Sequence, residues 1–155
     1  MPTVEKITES CGLGEGPHWD IPSQSLLFID VVGNRILKYT PSTKKLIKVP
    51  VGKHFLFVTI KWVYQLSLFL AKRPTFIIPV EGKTNEFLLS QENELVVVSW
   101  DGESENVKIV QKICEVAASA ESRKTFNDAK CDSSGRLWTG NDLTTDKTNQ
   151  KYVFS

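Results

Sequence analysis

The order of apolar runs and turns predicts an all-β protein. Three observations lead there. Apolar runs of strand length recur along most of the chain. Clusters rich in Gly, Pro, Asn, Ser and Thr separate them. Several runs are apolar throughout, as expected of strands buried on both faces. Short strands at regular intervals mark a sandwich, a barrel or a propeller.

The elements follow in order. Leu26–Ile29 is a compact apolar run that ends at Asp30. Val31-Val32-Gly33-Asn34 is a turn, because Gly33 and Asn34 tolerate positive φ. Arg35–Tyr39 is the next strand, Thr40-Pro41-Ser42-Thr43 turns the chain, and Lys45–Val49 continues it. Thr75–Pro79, Glu86–Ser90, Glu94–Trp100 and Val107–Val110 complete the series.

Two polar signatures stand apart from these runs: Gly14-Glu15-Gly16-Pro17-His18-Trp19-Asp20 and Phe126-Asn127-Asp128-Ala129-Lys130-Cys131-Asp132. Aligned, Glu15 falls on Asn127 and Asp20 on Asp132. Each signature is followed by a small-residue turn and a strand-like run, and a one-residue difference in turn length brings those runs into register. Two copies of one local unit predict a repeat architecture. In such a fold, matched side-chain oxygens converge on a shared centre, where a metal or small ligand can bind.

Residues 54–71 break the strand rhythm: the segment is apolar, with Lys61 its only full charge. Three readings compete. A membrane-spanning helix is opposed by Lys61, which costs about 2.5–3.5 kcal/mol near mid-span. A buried or surface-packed helix is the second. The favoured one is a segment foreign to the fold, such as a retained intron or a misassembled gene would produce.

Composition narrows the function. The formal charge is +1 and no basic run is interleaved with aromatics, so nucleic acid is not an expected partner. Cys11, Cys114 and Cys131 are odd in number and scattered, which predicts reduced thiols in a cytoplasmic protein. No Cys-x-x-Cys or His-x-x-x-His spacing is present. The first residues lack the basic and apolar regions of a secretory signal.

With its Glu-Gly-Pro opening, Gly14–Asp20 resembles the regucalcin family, which is also called senescence marker protein 30. The family includes gluconolactonases and the luciferin-regenerating enzyme. Phe126-Asn127-Asp128-Ala129-Lys130 is similar to a second family motif, and Asp132–Gly140 to a third. Tyr39, Ile77-Ile78-Pro79 and Ser99-Trp100-Asp101-Gly102 fit blade strands of insect members. The resemblance covers nearly everything outside residues 54–71 and the stretch after Gly140.

The resemblance implies an all-β, partial six-bladed β-propeller, about half a ring and truncated to an N-terminal piece, with one apolar, helical insert. It divides the chain into a first blade region at 1–52, an apolar insert at 53–73, further blade strands at 74–140 and a divergent polar tail at 141–155. A divalent metal, calcium or zinc, is implied at the mouth of the central channel. Glu15 matches the family's glutamate ligand. The other two ligands, an asparagine and an aspartate, belong to the second half of the family's chain. Asn127 matches the substrate-contacting asparagine. The family's companion arginine falls on Thr125, with Arg123 and Lys124 nearby but shifted.

The implied activity is metal-assisted hydrolysis of a sugar lactone, or action on a luciferin-related small molecule, with no membrane involved. The truncated chain is expected to be inactive alone, and no residue is assigned as catalytic. The alternative is a non-catalytic calcium-binding or regulatory protein.

Read from the residues alone, Glu15 is a hard oxygen donor between two glycines, or an ordinary surface-turn glutamate. Asn127 and Asp128 are a ligand contact with Asp128 as its support, or an Asx turn. His18 is read as a packed or solvent-facing side chain, not a base. Trp19, Trp100 and Trp138 are read as packing between blades.

Overall fold

A computed structural model describes residues 2–51, 72–116, 124–143 and 151–154. The insert proposed at 54–71 lies outside the described residues. Eleven strands are described, in three antiparallel meanders. The first sheet holds β1 (Gly14–Asp20), β2 (Ser25–Asp30), β3 (Arg35–Thr40) and β4 (Lys45–Pro50) in sequential order. The second holds β5 (Ile77–Pro79), β6 (Glu86–Gln91), β7 (Glu94–Ser99) and β8 (Lys108–Glu115), again in sequence. The third holds β9 (Lys124–Cys131), β10 (Leu137–Leu143) and β11 (Lys151–Phe154), with β10 in the middle.

The strand runs foreseen from hydropathy are the second, third and fourth strands of the first sheet and all four strands of the second. The two polar signatures, however, are themselves strands. Gly14–Asp20 is β1, and Lys124–Cys131, which contains the second signature except its last residue, Asp132, is β9. β11 lies in the polar stretch after Gly140 and pairs with β10 from Gly140↔Lys151 to Leu137↔Phe154.

Two apolar layers hold the sheets together. Leu27, Ile29, Ile36 and Val49 of the first sheet meet Ile77, Leu89, Val96 and Val98 of the second, with Trp100 beside them. Ile78 and Leu95 of the second sheet, with Phe76 just ahead of β5, meet Phe126, Ala129 and Leu137 of the third. Trp100 is 1% exposed, its indole N–H donating to the Ser104 carbonyl at 2.8 Å. Trp19 and Trp138 differ from the packing expectation: they are 45% and 46% exposed. Each lies on a sheet face turned away from the described layers, so neither fills a gap between described sheets.

The turns carry the predicted chemistry. Asn34 has φ +51°, which closes the β2–β3 turn as the Gly33-Asn34 pair suggests. Lys44 and Glu92 also take the left-handed conformation in their hairpins, with φ of +55° and +54°. The buried Asp30 carboxylate collects three backbone N–H groups, from Gly12, Leu13 and Gly33, at 2.9–3.3 Å. It thereby ties the segment that enters β1 to the β2–β3 turn.

Candidate functional site

The first strands of the three sheets lie together. β1 packs against β5, and both β1 and β6 approach β9. Polar links mark the junction. The Lys130 ammonium of β9 donates to the Pro17 carbonyl of β1 at 2.8 Å. The Thr75 hydroxyl, just ahead of β5, donates to the Asn127 carbonyl of β9 at 3.0 Å. Gly16 presses on the same spot: a Cβ built there would stand 2.7 Å from the Thr75 carbonyl oxygen and 2.9 Å from the Phe76 Cα.

β1 and β9 share a second feature. The ladder of β1 on β2 slips between Glu15 and His18, so Gly16 and Pro17 together face only Phe28. The ladder of β9 on β10 slips between its Thr139 and Asn141 pairings, so Asn127 and Asp128 together face only Gly140. Each is a β-bulge, which bends its strand and re-aims a side chain. At Gly16 the bulge is built on φ +58°, a conformation in which glycine carries no steric penalty.

The ladders also refine the repeat. By pairing, Glu15 has the rank of Phe126, because each is the last residue before its bulge. Asn127 takes the first bulge position, that of Gly16. The chemical match of Glu15 with Asn127 is thus offset by one residue along the backbone. Glu15 is half-buried, Asn127 and Asp128 are exposed, and Phe126 is 2% exposed within the second apolar layer. Asp128 accepts a hydrogen bond from the Ala129 N–H at 2.8 Å, and its own carbonyl accepts from the Thr139 hydroxyl at 3.1 Å. A local support for the bulge is what this arrangement provides.

His18 follows the bulge in β1. Burial pushes its pKa below the usual value, the Lys130 cation adds to that, and Asp20 opposes it. The imidazole is therefore neutral at pH 7. At the turns, Asp20 accepts from the Ser23 N–H at 3.3 Å and from the Ser23 hydroxyl. Asp132 accepts from the N–H groups of Ser134 and Arg136, the Arg136 guanidinium and the Trp138 indole, all at 2.8–3.0 Å. Its pKa falls to about 2, with the indole hydrogen bond the largest cause. The aligned pair Asp20 and Asp132 are turn anchors.

An open depression of about 260 Å³ lies beside the β9 bulge, lined by Asp128, Ala129, Lys130, Trp138, Thr139 and Gly140. Glu15 and Asn127 are not part of its lining. For a hard divalent cation, a Glu15 carboxylate and an Asn127 carboxamide oxygen fit in kind. They do not fit in number: calcium takes about 6–8 oxygens, and among the described residues no group of three or more His, Cys, Asp or Glu is assembled.

The family model for the SMP-30/gluconolactonase/LRE-like region matches residues 13–153. The chain belongs to that family. The match runs through the stretch after Gly140 as well as through both bulged strands. Regucalcin of Xenopus laevis is 25% identical over 134 residues, which is 86% of this chain and 36% of the relative. Regucalcin of Oryctolagus cuniculus gives the same identity and coverage. The chain therefore spans little more than a third of the length of the curated relatives it matches.

Among solved structures, a luciferin-regenerating enzyme superposes with TM-score 0.75 at 31% identity, over 94% of this chain and 43% of that one. A calcium-binding protein, regucalcin, from Agrobacterium tumefaciens superposes with TM-score 0.66 at 14% identity, over 96% and 42%. A gluconolactonase from Xanthomonas campestris gives 0.60 at 13%, over 96% and 46%. These place the three meanders as blades of a partial β-propeller, with β1, β5 and β9 as their first strands.

Sequence reading singled out Glu15, Asn127 and Asp128, and the fold places them on two neighbouring bulged strands. It missed Thr75 and Ser90, which join those strands. A threonine and a serine carry no pattern of their own in the sequence. Only Gly16-Pro17, a glycine where β1 would otherwise need a side chain, hinted at a close approach.

Proposed function

We propose that this chain supplies part of a divalent-metal-dependent site of the lactonase or regucalcin type. Glu15 is the metal ligand, Asn127 the contact to a small-molecule substrate, and Asp128 the support of that contact. Calcium, or zinc in its place, is the metal, and a sugar lactone or luciferin-related compound the substrate class. One observation carries the reading: Glu15 just before one bulge and Asn127 inside the other lie on two neighbouring strands that meet at Thr75.

A bound metal would polarise the carbonyl of a lactone. The chain's own residues do the rest of what can be derived. The Asn127 carboxamide can donate and accept hydrogen bonds and so orient a polyhydroxylated ligand. Asp128 fixes the bulge through the Ala129 N–H and the Thr139 hydroxyl. His18, neutral and half-buried, adds no charge near the strand. The described donors are a part-shell, so weak calcium binding and no lactone turnover by this chain alone belong to the proposal. The same reading places it in the cytoplasm, consistent with three free cysteines whose pKa values burial raises.

Titration calorimetry with calcium tests it. Binding by the wild type that Glu15→Gln removes supports Glu15 as ligand; identical heats from both proteins refute it. A second reading, a calcium-binding protein without catalysis, is favoured by Thr125, which stands where the family carries its substrate arginine. Calcium binding that persists with no lactone hydrolysis in the full-length context separates it from the first.

A further inference from the structure

We propose that Ser90 and Thr75 are a positioning pair that sets the spacing between Glu15 and Asn127. The inference rests on the metal-site reading above for its purpose, and on geometry for its substance. The Asn127 carbonyl can only accept, so the Thr75 hydroxyl spends its single proton on it, at 3.0 Å. The 2.8 Å contact between the Thr75 and Ser90 hydroxyls must then be donated by Ser90. The Ser90 oxygen in turn accepts the N–H groups of Thr75 at 2.9 Å and Phe76 at 3.1 Å. Every proton in the chain Phe76/Thr75 N–H, Ser90, Thr75, Asn127 is thereby assigned in one direction.

Ser90 is fully buried, so water does not compete at its hydroxyl, while the Thr75–Asn127 bond lies at the surface end of the chain. The three bonds at the buried Ser90 hydroxyl hold Thr75 in one arrangement, which makes Thr75 a fixed reference. Both halves of the candidate site are measured from it. The Asn127 backbone hangs on the Thr75 hydroxyl. On the other side, Gly16 packs on the Thr75 carbonyl with no room for a Cβ, and Glu15 is its neighbour in the chain. Thr75 is thus a spacer with one functional group turned to each bulge.

The test compares the wild type with Thr75→Val, which keeps the shape and loses the hydroxyl, and Thr75→Ser, which keeps the hydroxyl. A third variant, Val49→Ala, lowers stability from within the first apolar layer. Calcium affinity is read by calorimetry well below each melting temperature. The Asn127 carboxamide is read by its ¹H–¹⁵N resonances without metal.

Thr75→Val is expected to weaken calcium about tenfold, because Gly16, the neighbour of Glu15, packs on Thr75, and loss of the hydroxyl frees Thr75 from Ser90 and Asn127; tenfold is about the lower end for loss of a group that orients a metal ligand. Thr75→Ser is expected to restore it, and Val49→Ala to leave it unchanged. The Asn127 resonances should move in Thr75→Val alone. Wild-type affinity in folded Thr75→Val overturns the inference, as does an equal loss in Val49→Ala. Absence of calcium binding by the wild type defeats the metal-site reading instead. The resonances then decide the positioning role: a shift that Thr75→Ser reverses supports it, and unchanged signals overturn it.

Discussion

The β1–β2 and β9–β10 hairpins use one backbone plan for two kinds of side chain. Both bulge on the first strand, and both anchor the turn with an aspartate. Before the bulge, however, the first hairpin carries the half-buried Glu15 and the second the buried Phe126. Inside the bulge, the first hairpin has Gly16 pressed against Thr75, and the second has the exposed Asn127-Asp128. The difference teaches that the bulge is the shared device. What each bulge presents is set by which neighbour its strand packs on.

The sharpest way to break the comparison is at the matched rank. Phe126→Ala should cost about 3–5 kcal/mol, because it empties a filled position between the second and third sheets. Glu15→Ala, at the same ladder rank, should change stability by no more than about 0.5 kcal/mol. Chemical denaturation of both variants checks the contrast, and equal losses would show that rank, not environment, governs the position.

The next largest effect is expected at Gly16. A methyl group there meets the Thr75 carbonyl at 2.7 Å while the backbone sits at φ +58°. Gly16→Ala should therefore lose about 2–3 kcal/mol. Gly135, at φ +76° in the turn of the other hairpin, has nothing within 4 Å of its Cβ position. Gly135→Ala should lose only about 1 kcal/mol, the backbone part of the effect alone. Thermal melts of the two variants would separate crowding from conformational strain.

The smallest effect is expected at the turn aspartate Asp132 and shows itself in acid. Asp132 has a folded-state pKa of about 2 against an ordinary 3.8. The folded protein thus holds the ionised form more tightly than the unfolded chain does. That contribution is fully present above about pH 4 and disappears as pH falls through about 2. Asp132→Asn should flatten the melting temperature across this window relative to the wild type. A wild-type acid slope retained in the variant would assign it elsewhere.

Much of this architecture was legible in the chain. The seven hydropathy-defined strands were marked by apolar runs between turn residues, and all but the exposed β8 bury side chains against a neighbouring sheet. The signatures at Gly14–Asp20 and Phe126–Asp132 were visible as a repeat. They were not legible as strands, because Gly16, Pro17, Asn127 and Asp128 are turn-forming residues that here occupy bulges. β11 escaped for a related reason: Lys151–Phe154 is short and lies in a polar stretch, and its pairing with β10 is what makes it a strand.

Local sequence alone decided which residues could turn, which could line a layer between sheets, and which carried oxygen donors. Those are properties of single side chains and their neighbours. Tertiary structure decided that Glu15 ranks with Phe126, that Trp19 and Trp138 face outward, and that Thr75 stands between the two bulges. Such facts depend on strand register and on contacts between residues as distant as Thr75 and Asn127. A one-residue slip in a ladder reverses the face a side chain occupies, and no local pattern records it.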